Sequence, residues 1–202
     1  MIELVRQGDI SWSDGGELQR VPTGDLLRQC QNDRVIIATT RLSIRALTRV
    51  EAEAIVAGVR TGQSWAPDFP TPGDIRIAAG ALVGDVSFPI DTMQWGVFVI
   101  DETSSGLSVG GVGFKSAPNE RGEVEIGYGI CHSFQGRSVA TEAVVALCDF
   151  ARQGARVVLA ETDRENVASQ RVLEKSGFQS VGETDGLIRW RKEISASEIQ
   201  PE

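Results

Sequence analysis

The sequence predicts an α/β chain, with a mixed central sheet of about seven strands flanked by about four helices. Three observations predict it. From Glu123 to Ala151, a segment with Val124, Ile126, Tyr128 and Ile130 at every second position passes through a short loop of small residues. It then enters a segment whose apolar residues, Ala140, Ala143, Val144, Leu147, Phe150 and Ala151, recur at three- and four-residue spacing. A second helical pattern runs from Asn166 to Ser176 and ends on Gly177, the residue best suited to a left-handed cap, with Phe178 covering the end. Finally, the periodic segments follow one another as strand, two helices, three meandering strands, helix, strand, helix and two strands.

Each element has its own signal. Residues 1–38 are polar and glycine-rich around ISWSDGGELQRVPTG; they read as an accessory extension of loop or short hairpin, with a short helix from Asp25 to Gln31 capped by Thr23. Leu42, Ile44 and Ala46 alternate and mark the first strand. Arg49 to Arg60 is helical, with Val50, Ala54, Ile55 and Val59 on one face. Three prolines and two aromatics between Thr61 and Asp74 make a loop, after which Asp74 caps a helix striped by Ile75, Ala78, Ala79, Leu82 and Val83. Trp95 to Asp101 and Leu107 to Ser116 are strands joined by the Ser104-Ser105-Gly106 turn, and the Pro118 to Gly122 turn leads into the central strand. The apolar run Arg156 to Glu161 suits a buried strand. Two last strands, Gln179 to Glu183 and Leu187 to Glu193, turn at Asp185-Gly186, and residues 195–202 form a tail.

The loop between the central strand and the Ala140 helix holds Gln135, Gly136, Arg137 and Ser138. Unpaired N–H groups and the helix dipole make such a junction an anion site. It has neither G-x-G-x-x-G nor G-K-[ST], which disfavours those nucleotide folds. Gln135 to Ala140 resembles the Q/R-x-x-G-x-G/A diphosphate loop of the GNAT superfamily of acyl-coenzyme A transferases, with Thr141-Glu142-Ala143 continuing as in many members. Ser138 stands where that family usually has glycine; its hydroxyl suits a helix cap, while its side chain crowds a diphosphate. Asn166 to Phe178 resembles the N-x-x-S-x-x-x-L-x-K-x-G-F segment of the same family, above all of the branch of ribosomal-protein N-terminal (RimJ/RimL-type) acetyltransferases.

The resemblance implies a GNAT fold over residues 39–194 and acetyl-CoA as acyl donor. It implies a coenzyme site formed by Ile130, Gln135, Gly136, Arg137, Ser138, Val139, Ala140, Thr141 and Asn166, with Ser169 near the coenzyme sulfur. Gly127 and Gly129 suit a bulge and a close backbone approach on a strand splayed from its neighbour. Acyl transfer to an amine needs a base, an oxyanion donor, a proton for the leaving thiolate and close placement of both substrates. Glu125, with Glu123 on the same face, and Glu161 compete as the base, and each equally suits a solvated strand end. His132 reads as a solvated loop residue, and Cys131 has no base spaced to activate it. Trp65 and Phe69 either cover the acceptor pocket or pack their own loop. The acceptor is a small amine or a peptide N-terminus, and a homodimer is compatible with this class. Two other readings stay open: a GNAT-like binding module without catalysis, supported by Ser138, and a transferase using a different acyl carrier.

Composition sets the outer limits. The 202 residues fit one domain, and 41% hydrophobic with 24% charged residues is ordinary for a globular protein. A net charge of −8 argues against nucleic acid and permits a cationic substrate. No apolar run approaches the ~20 residues of a membrane span. Cys30, Cys131 and Cys148 are too scattered for a disulfide framework or a metal site, which points to the reducing cytoplasm.

Overall fold

The computed structural model describes residues 35–84 and 94–194; the expectations for the first 34 residues, including the Thr23-capped helix, and for the tail lie outside them. Eight strands form one sheet in the order β1-β2-β3-β4-β5-β6-β8-β7. They are β1 (Ile36–Ala38), β2 (Leu42–Ala46), β3 (Val97–Glu102), β4 (Leu107–Phe114), β5 (Glu123–Ile130), β6 (Val157–Asp163), β7 (Gln179–Thr184) and β8 (Leu187–Glu193). Four α-helices accompany them: α1 (Arg49–Ala57), α2 (Pro72–Leu82), α3 (Val139–Ala151) and α4 (Val167–Lys175). The strand beyond the expected seven is β1, three residues paired antiparallel to β2, too short for period-two alternation to reveal.

Alternation placed the inner strands well because one face of each is buried, whereas β7 at the sheet edge is exposed throughout. The face formed by Phe98, Val112, Phe114, Val124 and Ile126 is covered by α3, whose Val139, Ala143, Val144, Leu147 and Phe150 are also buried. Phe114 meets Phe98 edge-on at 6.4 Å and Phe150 in a stacked pair at 6.3 Å. The helix faces of α1 and α2 differ from the expectation. Gly58, left-handed at φ 65°, ends α1 by donating to Ala54 and Ile55, so Val59 lies past the helix, and Val50 is 72% exposed. Ala52 and Ile55 are the buried pair. In α2 the cap is Thr71, with Pro72 at the first helical position. Asp74 is therefore the third helical residue and completes a capping box with Thr71. Ala78 and Ala81 face inward, whereas Ile75 and Val83 are exposed.

All strand pairs are antiparallel except β5 with β6, which run parallel over three residue pairs, Glu123↔Val157, Val124↔Val158 and Glu125↔Leu159. Beyond Glu125, β5 stays on β4 as far as Ile130 while β6 continues on β8 as far as Asp163. The sheet opens there into a wedge.

The expected bulge in β5 is absent, since Gly110 to Phe114 pair without a shift against Ile130 to Ile126; the irregularity lies between Ile100 and Asp101 of β3. The close approach belongs to β4. A Cβ on Gly110 would stand 2.2 Å from the Gly129 carbonyl oxygen and 2.8 Å from Ile130 Cδ1, while one on Gly127 or Gly129 would meet nothing within 4 Å. Gly110→Ala should therefore destabilise the fold by ~3 kcal/mol through overpacking against backbone. Gly127→Ala should be neutral or stabilise by up to ~1 kcal/mol. Urea unfolding of the two variants checks the contrast; equal stability would mean that the β4–β5 contact is not tight.

Candidate active site

The wedge is filled by two helix N-termini. The turn from His132 to Phe134 carries the chain off β5, and the following loop bends sharply at Gly136 (φ 74°) and Ser138 (φ 62°) before α3 begins. The two left-handed residues place that bend at the positive end of the α3 dipole. Gln135 lends its side chain to the scaffold: Nε2 donates to the Ile130 carbonyl at 3.0 Å, occupying an acceptor at the end of β5. The Ser138 hydroxyl makes no capping bond, contrary to expectation, because the left-handed backbone turns it away from the helix N–H groups.

The start of α3 is held from the other side by the β1–β2 turn. Glu142 accepts from Thr39 Oγ1 at 2.6 Å, Arg41 N at 3.1 Å and Arg41 Nε at 2.8 Å, and Arg41 Nη1 donates to the Arg137 carbonyl at 3.1 Å. Burial pushes the Glu142 carboxyl up, but the Thr39 and Arg41 donors together hold it below its usual value. The loop is thus buttressed by residues nearly a hundred positions earlier.

α4 closes the opposite wall. Asn166 caps it, Oδ1 accepting from the Ser169 amide at 3.1 Å. Gly177 is left-handed at φ 83°, and Phe178, buried, donates to the Leu173 carbonyl at 3.0 Å, as the sequence predicted. Between α3, α4 and the free edge of β5 lies a cleft of about 480 Å³. Ile130, Gln135, Gly136, Ser138, Val139, Ala140, Thr141, Asn166 and Ser169 line it, all nominated from the sequence. Arg137 of that set points elsewhere, its guanidinium 4.8 Å from the centre of the Phe134 ring. Arg171 and Lys175 also border the cleft and make it basic within an acidic chain.

Tyr128 reaches into the same cleft from β5. Its hydroxyl lies 2.7 Å from Ser169 Oγ and donates to the Ser169 carbonyl at 3.0 Å. Burial raises its phenol above the ordinary range, partly offset by the Ser169 bond, so it carries its proton near neutrality. The alternating pattern places Tyr128, the single tyrosine of the chain, on the central strand but shows no role for it. No local pattern could show that it meets Ser169.

A second cavity, about 380 Å³, lies between the sheet and α2 and shares Tyr128 and Gly129 with the first. Its floor is the paired glycines Gly111↔Gly129 and Gly113↔Gly127 beside Val97 and Val99. Phe69 borders it, with Trp65 packed edge-on behind at 5.6 Å, so of the two loop aromatics one is at the cavity and one supports it. Asp68 in that loop accepts from Ser133 N at 2.8 Å and Ser133 Oγ at 2.6 Å. Those bonds hold its carboxyl down at about 2 and tie the loop to the turn that follows β5.

The nominated bases lie outside both linings. Glu125 is ion-paired with Lys115, and Glu161 sits 3.4 Å from Arg189 on the neighbouring β8. Glu123 pairs with Arg191 at 3.2 Å. His132 is exposed, and Cys131 is fully buried, its thiol pushed up mainly by burial.

The acetyltransferase (GNAT) domain profile matches residues 41–179, well over half of the chain. The chain belongs to the GNAT acetyltransferase family. Over 72 residues it is 36% identical to the uncharacterized N-acetyltransferase YjdG of Bacillus subtilis (strain 168), a match spanning 35% of this chain and 43% of that protein's length. Its fold is similar to that of a ribosomal-protein-serine acetyltransferase from Vibrio cholerae, described as putative, at TM-score 0.56 and 24% identity over 79% of this chain and 97% of that one. It is likewise similar to RimL, a ribosomal L7/L12 alpha-N-protein acetyltransferase solved with coenzyme A, at TM-score 0.59 and 19% identity over 80% and 99% of the two chains. The wedge, the Gln135–Ala140 loop and the Asn166–Ser169 helix start therefore stand together on a GNAT sheet with one strand more than expected.

The left-handed Ser138 generates a prediction for this loop. With no capping bond to lose, Ser138→Gly relieves a backbone cost of ~1 kcal/mol, partly cancelled by glycine's greater freedom when unfolded. A melting temperature equal to or slightly above that of the parent is expected; a clear fall would assign the hydroxyl a structural bond.

Proposed function

We propose that the protein is an N-acetyltransferase that moves an acetyl group from acetyl-CoA to a primary amine by direct attack in a ternary complex. The observation that carries this reading is that two cavities, one basic and walled by two helix N-termini, the other apolar and floored by glycine, meet at Tyr128 and Gly129 beside the open edge of β5. A coenzyme and an acceptor entering from opposite sides would come together there.

The residues fit the coenzyme. Backbone N–H groups from Gln135 to Thr141 provide donors for a diphosphate at the α3 dipole, with Arg171 and Lys175 as nearby cations. Among the described residues the β6-side edge of β5 beyond Glu125 has no strand beside it, and it would offer backbone groups to an extended amide chain in the manner of strand addition. Asn166, already engaged as the α4 cap, fixes the wall on that side. Bound acetyl-CoA supplies a thioester whose C–S bond breaks as the C–N bond to the amine forms. Ser169 and Tyr128 share a hydrogen-bonded pair at the meeting point, and their role is to deliver a proton to the departing thiolate. A carboxylate takes the proton that the ammonium must lose first. As an acceptor, a protein N-terminus is supported by the likeness to RimL, an alpha-N-protein acetyltransferase, and a small molecule by the likeness to the microcin C7 self-immunity acetyltransferase MccE, solved with acetyl-CoA and AMP.

Gly136→Val is expected to raise the dissociation constant for acetyl-CoA at least ~tenfold, because a branched side chain at φ 74° distorts the donor array. Calorimetry beside circular dichroism reads this, and unchanged affinity in a folded variant would move the diphosphate elsewhere. Absence of acetyl-CoA binding by the parent protein would overturn the enzyme reading in favour of a module without catalysis.

Ser169→Ala tests the proton-delivery role. The substitution keeps helix propensity and leaves the Tyr128 bond to the residue 169 carbonyl. Single-turnover thiol release should slow by ~tenfold or more with acetyl-CoA affinity and melting temperature retained. An unaltered single-turnover rate would remove Ser169 from the chemistry and leave Tyr128 or water.

A further inference from the structure

Asp74 is an acidic residue in a place where its role as the third residue of α2 leaves half of it unused. The side chain is 9% exposed. Oδ2 receives both cap bonds, from Thr71 N at 2.8 Å and Thr71 Oγ1 at 2.6 Å, while Oδ1 accepts no hydrogen bond among the described residues. That free oxygen faces the glycine floor: a Cβ added to Gly111 would lie 3.0 Å from it. Gly111 is paired directly with Gly129, where the two cavities meet, so Oδ1 stands about one strand spacing, ~5 Å, from the junction. A nitrogen placed between the carboxylate and a carbonyl carbon at the junction fits that span.

A buried carboxylate oxygen without a partner costs several kcal/mol unless something charged or hydrogen-bonding arrives to meet it. The remaining lining says what. Leu47, Ile55, Phe69, Val97 and Val99 make the chamber apolar, and the glycines leave the backbone bare. Arg76 also lines it, exposed, with its guanidinium unpaired among the described residues, and Lys115 borders it with its charge engaged by Glu125. One anion lies inside and cations stand at the border.

We infer that Asp74 is the acceptor-binding carboxylate and base: its Oδ1 takes the ammonium of a monoamine on an apolar stem, lying over the Gly111–Gly129 floor, and then takes its proton. The inference rests on the acetyl-transfer reading and deepens it. The first proton passes from the ammonium nitrogen to Oδ1, and the freed lone pair forms the C–N bond as the C–S bond breaks. The nitrogen then releases its second proton to water, and the thiolate takes a proton from the Ser169–Tyr128 pair, which water restores. Burial raises the Asp74 carboxyl, working against the Thr71 bonds that lower it, which brings it nearer to the pKa a base needs at neutral pH. The Arg76 guanidinium makes a second cation on the acceptor unwelcome, so polyamines are excluded.

The test uses the full-length protein saturated with coenzyme A, to which alkylammonium ions from propyl to hexyl are titrated against the alcohols and α,ω-diamines of equal length. Amide shifts of Gly111, Gly127 and Gly129 report occupancy by NMR. The expected result is at least ~tenfold tighter binding of the monoammonium than of either alcohol or diamine, with the preference abolished in Asp74→Asn, whose oxygen still serves the Thr71 cap. Should Asp74→Asn not fold, Gly127→Val fills the chamber from a residue that tolerates a side chain and should lose the ammonium response in a folded protein. Equal binding of ammonium and alcohol by the parent, or a preference that survives Asp74→Asn, overturns the inference whether or not acetyl transfer occurs. In turnover with acetyl-CoA, Asp74→Asn should lower kcat/KM for the amine ~hundredfold with acetyl-CoA affinity unchanged. A loss of that size in Glu125→Gln or Glu161→Gln, with Asp74→Asn at parent activity, would overturn the inference and leave the transferase reading standing.

Discussion

Three residue pairs of parallel β-structure hold the architecture of this protein in place. β5 and β6 are joined from Glu123 to Glu125 and part immediately afterwards. Because a β-strand cannot leave an edge of donors and acceptors bare in the middle of a protein, the divergence must be managed. The chain does so with a Gln135 side chain on the Ile130 carbonyl, with a phenol that crosses to α4, and with a cleft open to a ligand able to pair with the rest. Everything else follows from keeping the two halves of the sheet apart at one end and together at the other. The Phe98–Phe114–Phe150 cluster packs α3 against the β4–β5 half, and Trp190, whose indole N–H donates to Thr162 Oγ1 at 2.9 Å, braces the β6–β8 half.

Much of this was legible in the sequence, and the reasons are physical. Period-two alternation found the inner strands because one of their faces is buried, the exposed β7 was found from the turn at Asp185-Gly186, and the Asn166 and Gly177 signals bounded α4 because caps are local chemistry. The coenzyme-side nominations cluster because they come from two contiguous segments joined to the same wedge. What failed was the extent of the inward faces. In α1 and α2 Ile55 and Ala78 are buried as expected, but Ala52 and Ala81 complete those faces, while Val50, Ile75 and Val83 are left outside. The glycines behave in two ways: Gly127 and Gly129 carry no bulge and border open space, while Gly110 packs tightly against the Gly129 backbone. No one-dimensional pattern separates a glycine that admits a backbone from a glycine that admits a ligand.

Asp74 illustrates the same boundary. Thr71-Pro72-Gly73-Asp74 is recognisable as a capping box, and a capping box accounts for an acidic residue without further comment. Only the third dimension shows that one oxygen is occupied and the other looks across the sheet to the junction of two cavities. Local explanations of a charged residue can be correct and incomplete at once.

The bond between Asp68 and Ser133 carries a consequence for redesign. It fastens the loop that borders the α2 cavity to the turn that follows β5, through a carboxylate that the two Ser133 bonds hold well below its usual value. The two mouths of the molecule are therefore hinged on a common pin. Grafting a foreign loop over the α2 cavity removes one anchor of the turn after β5 as well, so the shapes of the two cavities are inherited together unless the aspartate is transplanted with the loop.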